Sequence, residues 1–356
     1  MMTSKIVQKM DFTGRKVFVG LDVHKKNWKV SIFIEKQYFK TFQQIPNPGV
    51  LVKYFLENFP GGTIECAYEA GFCGFWIQRD LSNRRISCIV VNAADIPITN
   101  KQKNDKRDPV DSKRIASALE DGKLSPIYIP STQLEADRRL VRLRKAITND
   151  LTRSKNRIKS ELHLMGIETP SKYNGWSKSF IVWLKELRIE HKAWKSTLEI
   201  AIYRMEELRA HLLNLNREVR NLMKENRYHK IGEQLMKISG VGVITTITAL
   251  TEIGEIERFE TFDRLNSYIG YCPTEHSSGE SEHKGNITPR GNNQLRELLV
   301  EAAWIATRTD PAMALCYSNL TKRMTGKRAI TRIARKILNR IYCVWKHNME
   351  YQIGIN

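Results

Sequence analysis

The sequence predicts a mixed α/β domain at the N-terminus, a long helical segment after it, and a mostly α-helical C-terminal domain. Three observations carry this prediction. Before about residue 125, β-rich runs come first and then alternate with helical ones, the pattern of a sheet with helices on its faces. From Ser131 the apolar residues recur at three- and four-residue steps, which is helical spacing. From residue 231 helical runs continue, broken by glycine turns and one polar stretch. The expected domains are residues 1–125, 131–228 and 231–356.

Residue type justifies the N-terminal elements in turn. KVFVGLDVHKKNWKVSIFI, residues 16–34, holds two β-rich runs joined by the polar turn HKKN, which reads as a hairpin. KQYFKTFQQI supplies a third strand. Asn47 and Pro48 open a helix over NPGVLVKYFLENF, since asparagine caps well and proline suits the first helical position. TIECAYEA is a strand, GFWIQRDLSNR a helix and RISCIVVNA another strand. A further helix begins at Asp108, just before Pro109. Three antiparallel strands followed by helix–strand units is the topology of the ribonuclease H fold.

In the helical segment, Leu143, Ile147, Leu151, Ile158 and Leu162 form one stripe, with Arg and Lys on the other faces. Leu198, Met205, Leu208, Leu212, Leu215, Val219 and Leu222 form a heptad seam. The two helices are expected to pair as an antiparallel coiled-coil hairpin or to serve as a dimer interface. The plain alternative is a spacer arm. Next, LMKISGVGVITTITALTEIG reads as a helix-hairpin-helix motif, in which Gly240 and Gly242 let the backbone approach a DNA phosphate without reading sequence. Here the plain alternative is a glycine turn between core helices. A polar, glycine-rich loop then separates two apolar helices and carries His276, Ser277, Ser278, His283, Lys284 and Arg290. Long polar loops in compact domains are often functional. Finally, residues 321–348 contain nine Lys or Arg and no acid, with Ile330, Ile333, Ile337 and Ile341 along one side. This is an amphipathic helix whose basic face, including Arg335 and Lys336, is either simply solvated or phosphate-binding.

A formal net charge of +20 over 356 residues points to a polyanion, nucleic acid before a membrane surface. No stretch has the roughly 18 apolar residues of a membrane helix, and the N-terminus lacks the apolar core of a signal peptide. A soluble, cytoplasmic protein is expected. The six cysteines form no CxxC pair, so reduced core thiols are expected rather than zinc ligands or disulfides.

Within this basic chain, KNDKRDPVDSKRIA spaces Asp105, Asp108 and Asp111 three residues apart. As local structure, Asp108 caps a helix and Asp111 completes a carboxylate capping box, worth about 1 kcal/mol. As chemistry, residues three apart share a helix face and can hold a divalent cation together. Asp22 lies inside the apolar run VFVGLDV, where an unpaired acid is costly, and Glu69 closes TIECAYE. Each can also be a surface-facing strand residue. The set nevertheless has an order: strand Asp, strand Glu, two helical Asp. Four such carboxylates can bind two Mg²⁺ ions about 3.5–4 Å apart, hard oxygen donors being suited to that metal.

GLDVHKKNWKVSIF, YEAGFCGFW and DPVDSKRIA resemble, in that order, the Asp, Glu and Asp-x-x-Asp motifs of DEDD-type bacterial insertion-sequence transposases, the insertion sequence family "one-ten" with its Piv-type DNA invertase relatives. ISGVGVITTITALTEIGEIERF, SYIGYCPTEHSSG and ITPRGNNQLRELLVEAAW resemble that family's C-terminal transposase domain, and LRKAITNDLTRSKNRIKSEL its connecting helices. The resemblance covers nearly the whole chain. It implies a RuvC-like N-terminal domain in which Asp22, Glu69, Asp108 and Asp111 are catalytic metal ligands for Mg²⁺, two ions being expected and Mn²⁺ a substitute. It implies that Ser278, the serine before the glycine of the SG pair, attacks a phosphodiester to give a phosphoseryl-DNA intermediate. Ser277 is its rival. His276 and His283 are the bases its own loop offers, with Lys284 and Arg290 near the scissile phosphate. The fold or a dimer partner is expected to bring that loop to the carboxylates. An element-encoded guide RNA beside donor and target DNA is also implied, and a homo-oligomer, dimer or tetramer, is expected. Ser112 stands where other members often have Ala.

The resulting reading is a transposase or site-specific recombinase. A RuvC-like junction-resolving nuclease using the carboxylates alone is one alternative, opposed by the Ser278 loop and the helical insert. A non-catalytic nucleic-acid-binding protein is another, opposed by the intact set of Asp22, Glu69, Asp108, Asp111 and Ser278.

Overall fold

A computed structural model describes residues 11–97, 109–173, 175–278, 281–287 and 291–354, with the backbone alone for Pro109, Val110, 273–278 and 281–287. The chain divides into two compact units, one ending at Ile129 and one beginning at Pro130.

In the first unit, β1 (Lys16–Val23), β2 (Trp28–Ile34) and β3 (Gln37–Gln44) run antiparallel. α1 (Pro48–Asn58) leads to β4 (Thr63–Glu69), α2 (Trp76–Asn83) leads to β5 (Ser87–Val91), and α3 (Pro109–Glu120) follows. β4 pairs in parallel with both β1 and β5, so the sheet order is β3-β2-β1-β4-β5. The cap expected on α1 is present: the Asn47 side chain accepts from the Gly49 N–H at 2.7 Å.

Side chains alternate between the faces of a strand, and the two faces of this sheet differ in kind. Val17, Val19 and Leu21 pack in one core with Leu51 and Phe55 of α1 and Ile77 and Leu81 of α2. The opposite face belongs to α3 and is built from small residues. A Cβ on Gly20 would lie 2.1 Å from the Ser112 carbonyl oxygen and 2.5 Å from the Ala116 nitrogen. The Ser31 hydroxyl is 2.8 Å from that of Ser112 and 2.7 Å from that of Thr41. Ala67, Val91, Ile96 and Ile115 close this smaller core. All six cysteines are free, and Cys66 and Cys88 are buried neighbours on β4 and β5.

In the second unit, α4 (Thr132–Leu164) and α6 (Lys192–Met223) lie antiparallel. Arg144 donates to Asn216 at one end of the pair, and Ile158 and Leu162 share a core with Leu198 and Ile202 at the other. The apolar seam of α6 therefore packs within the chain. Trp176 and Trp183 gather around Phe180 at the start of α5 (Lys178–Glu186). Then come α7 (Asn226–Met236), α8 (Val243–Ile253), α9 (Phe262–Ile269), β6 (Pro273–Ser278), β7 (Ser281–Ile287), α10 (Asn293–Thr309), α11 (Pro311–Thr321) and α12 (Gly326–His347). Every residue of α8 from Thr245 to Ile253 is buried. Gly240 has φ +84°, and a Cβ there would lie 2.1 Å from the Ala302 carbonyl oxygen, so packing against α10 already demands glycine. Gly242, by contrast, faces open space.

The polar stretch expected as a loop is instead the antiparallel hairpin β6–β7, with Ser277 opposite Glu282 and Ser278 opposite Ser281. Polar side chains do not prevent this. A two-stranded ribbon pairs its own backbone N–H and C=O groups, whatever its side chains do. Among the described residues, no helix is long and apolar enough to cross a membrane.

Gly20→Ala is expected to destabilise the protein by about 1–3 kcal/mol, because backbone rather than a movable side chain occupies the space. Gly71→Ala, where nothing lies within 4 Å of the added carbon, is the control and should be near neutral. Urea denaturation of both variants checks this.

Candidate active site

Asp22 is the next-to-last residue of β1, and Glu69 is the last of β4. Those strands are adjacent and parallel, with Gly20 opposite Ala67 and Leu21 opposite Tyr68. One step further along, Asp22 and Glu69 stand side by side at the strands' carboxyl ends. Each is two residues beyond a residue of the α3 face, so each belongs to that face. Asp111 sits in the first turn of α3, one residue before the Ser112 carbonyl that meets Gly20. Three of the expected carboxylates thus share one edge and one face of the sheet, where ligands of open α/β sheets gather. Asp108 lies outside the described residues.

The electrostatics agree with this convergence. Burial pushes the Asp22 carboxyl above its ordinary value, His24 opposes the shift, and the Asp111 charge adds to it. Glu69 is raised by burial, then by Asp111 and Asp22. Asp22 is the more enclosed, with 16% of its side chain exposed, whereas Glu69 is exposed at the strand end. Two neighbours were not anticipated from the sequence. His24 Nε2 is 3.1 Å from Asp22 Oδ2, and Arg114 donates to Asp111 at 2.7 Å. The only signal was spacing: two residues on along the strand for His24, and three along the helix for Arg114.

Among the described residues, no three His, Cys, Asp or Glu groups already stand together as an ion-binding cluster. The donor chemistry nonetheless fits a hard divalent cation. Asp22, Glu69 and Asp111 offer oxygen only; burial first, and neighbouring carboxylate charge after it, raises the proton affinity of Asp22 and Glu69, which a bound cation would offset.

Ser277 and Ser278 are the last residues of β6, His276 pairs with His283, and Lys284 lies in β7 opposite Glu275. Arg290 lies outside the described residues. The base of this hairpin is held firmly. Gly291 has φ +114°, and its missing Cβ leaves room for the Ile269 carbonyl. The Asn292 N–H donates to that carbonyl at 3.2 Å, and its side-chain oxygen caps α10 by accepting from Leu295 N at 2.9 Å. The Asn292 amide also donates at 2.8 Å to Glu252, which is 1% exposed. Arg142 binds Glu252 through two N–H groups, each at 2.7 Å. Glu252 is the buried partner and Arg142 is about half exposed, so removing Arg142 would leave a buried carboxylate short of a partner. The sequence concealed this clamp because Glu252 ends an apolar run and Arg142 is 110 residues away.

The basic segments separate into structural and available cations. On α4, Arg138 donates to the Thr251 carbonyl and Arg142 to Glu252, while Arg139, Arg153, Arg157 and Lys159 are exposed. On α12 the isoleucine stripe is buried and the opposite face is exposed. There Arg335 reaches Asp263 at 3.1 Å, and Lys336 points to solvent.

Comparison with known proteins places the chain in a family. Residues 19–167 match the DEDD-type IS110 transposase model, and residues 232–318 match the model described as "Transposase IS116/IS110/IS902 family". The chain is 28% identical to the putative transposase y4qE of Sinorhizobium fredii, over 82% of this chain and 72% of that protein. It is 27% identical to the transposase for insertion sequence element IS1533 of Leptospira borgpetersenii, over 65% of this chain and 68% of that one. The first match contains Asp22, Glu69 and Asp111 and the second contains Ser277 and Ser278, so both halves point the same way: the chain belongs to the IS116/IS110/IS902 family of transposases.

Proposed function

We propose that this transposase cuts and rejoins DNA with a carboxylate–metal site in a RuvC-like N-terminal domain and a serine nucleophile, Ser278, in its C-terminal domain. The observation that carries the reading is the placement of Asp22, Glu69 and Asp111 on one face, at the carboxyl ends of adjoining parallel strands. Asp108, by its place in the DPVD motif, joins them as a fourth ligand. The group they would hold is Mg²⁺, as two ions, with Mn²⁺ as a substitute. When bound, it supplies charge neutralisation at the reacting phosphate and the leaving oxygen.

The chain's own residues do the rest. Arg114 holds the Asp111 carboxylate in place from within the same helix. The Ser278 oxygen bonds to phosphorus as one phosphodiester P–O bond breaks, and its proton passes to the departing DNA oxygen, leaving one strand end joined to protein and the other as a free hydroxyl. Lys284 and Arg290 offset the negative charge of that phosphate. Gly242 at the open start of α8, together with Arg335 and Lys336 on α12, contacts backbone phosphates without reading bases. The excess positive charge serves donor and target DNA and an element-encoded guide RNA, and a homo-oligomer assembles them.

Asp22→Ala, Glu69→Ala and Asp111→Ala should each abolish recombination while DNA binding persists; full recombination in EDTA would overturn the metal role. Asp22→Asn has a second, opposite effect. A carboxyl whose folded pKa is raised destabilises the fold when ionised. That cost is absent below the unfolded pKa and fully present above the folded one. In chelator at neutral pH, Asp22→Asn should therefore raise the melting temperature, and the gain should fade as pH falls through the carboxylate range.

Ser278→Ala should eliminate protein–DNA adducts that survive denaturation, and Ser277→Ala should retain them. Adducts lost only in Ser277→Ala would transfer the role to that residue. Recombination by the double variant would leave the carboxylates acting alone, as in a junction-resolving nuclease.

Neutralising Lys336 and Arg335 should weaken binding equally across DNA sequences. The slope of log K against log salt should flatten by about 0.9 per lost phosphate contact. A change of base preference at constant slope would make them base readers.

A further inference from the structure

Large aromatic side chains left in water at the edge of a rigid sheet call for a partner. At the edge where β1 and β4 end, Phe72 is 63% exposed and Trp76 is 47% exposed. Phe72 follows Glu69 by three residues, as Lys25 follows Asp22. The two turns meet: the Lys25 ammonium lies 6.0 Å from the centre of the Phe72 ring. Lys26 is exposed in the same turn, and the Arg79 guanidinium is 5.8 Å from the Phe75 ring.

The rings are held in place from below. The Tyr68 hydroxyl donates to the Gly74 carbonyl at 3.0 Å and accepts from the Gln78 N–H at 3.4 Å, tying the loop to the start of α2. Trp76 leans on the buried Trp28, with ring centres 6.0 Å apart. Exposed rings with cations beside them match a nucleotide chain, whose bases offer π faces and whose phosphates offer charge. An apolar protein partner would call for a continuous uncharged patch instead.

We propose that Phe72 and Trp76 form a stacking platform for an unpaired DNA base beside the scissile phosphate, with Lys25 and Lys26 taking the adjoining phosphates. The proposal rests on the reading of this sheet edge as the DNA-cleaving site, and it adds a substrate preference. DNA with an opened base pair reaches the platform, whereas a base in an intact stack does not.

The test titrates the full chain, in EDTA so that no strand is cut, with a duplex carrying one unpaired 2-aminopurine and with its fully paired counterpart. The wild type should bind the unpaired duplex more tightly and quench its fluorescence by stacking. Phe72→Ala and Trp76→Ala should each lose affinity for it, on the order of ten-fold, and lose the quenching, with paired-duplex affinity unchanged. Trp76→Phe should keep most of both. Unchanged quenching in the Phe72→Ala, Trp76→Ala double variant would overturn the platform, and so would equal losses for paired and unpaired DNA. Tighter binding of the same unpaired base in an RNA strand would overturn the assignment to DNA. Because the readout is binding without cleavage, its failure leaves the metal and serine chemistry standing, and failure of that chemistry leaves this readout intact.

Discussion

The first unit depends on one contact, the meeting of the α3 backbone with β1 at Gly20. The Ser112 carbonyl occupies the space where any other residue would carry its Cβ. That approach sets the height of the helix above the sheet, and with it the height of Asp111 above Asp22 and Glu69. The neighbours conform to it. Ala67 and Ala116 are small, and Ser31 and Ser112 turn their hydroxyls toward each other, so no buried polar atom of that pair is wasted. Ser112 therefore has a local reason. Its hydroxyl completes a chain with Ser31 and Thr41.

Two buried acids show opposite solutions to one problem. Glu252 is almost wholly enclosed, and its oxygens are engaged by Arg142 and Asn292. This acid serves structure, fixing the start of α10 through Asn292. Asp22 is only partly enclosed; that burial raises its proton affinity and the Asp111 carboxylate adds to the rise. The chain retains there a carboxylate in an unfavourable setting that costs stability and that a bound divalent cation would relieve. Conflicts of this kind between local stability and arrangement are where functional sites are expected.

Much of this was legible in the sequence, for identifiable reasons. The N-terminal strands showed themselves through β-rich runs and turn residues, and Asn47–Pro48 announced a cap that the structure contains. The isoleucines of α12 recur at helical spacing and are buried as that spacing requires. Asp22, Glu69 and Asp111 could be ordered along the chain, but their common face follows from strand register, which one sequence does not display. The hairpin β6–β7 was hidden because its strands are polar on both faces and lack the apolar alternation that marks a half-buried strand. Gly240 was visible as a glycine, but its neighbour Ala302 is remote in sequence, so a packing requirement looked the same as a phosphate-binding one. His24 and Arg114 escaped notice because each is an ordinary surface residue until its partner's position is known.

The charge excess can now be located. Ion pairing removes one cation for each acid, so it cannot reduce a net charge of +20. Arg142 with Glu252, Arg227 with Asp137 and Arg340 with Asp310 are internal pairs that cancel in that total. What remains must face solvent, since an unpaired buried cation is too costly. It is also uneven: residues 321–348 hold nine cations and no acid, and the isoleucine stripe of α12 fixes which way most of those on the helix point. Turning those isoleucines into the core obliges Lys327, Arg328, Arg332 and Lys336 outward together. The basic face of α12 is thus a consequence of how the second unit packs, available to a polyanion before any partner arrives.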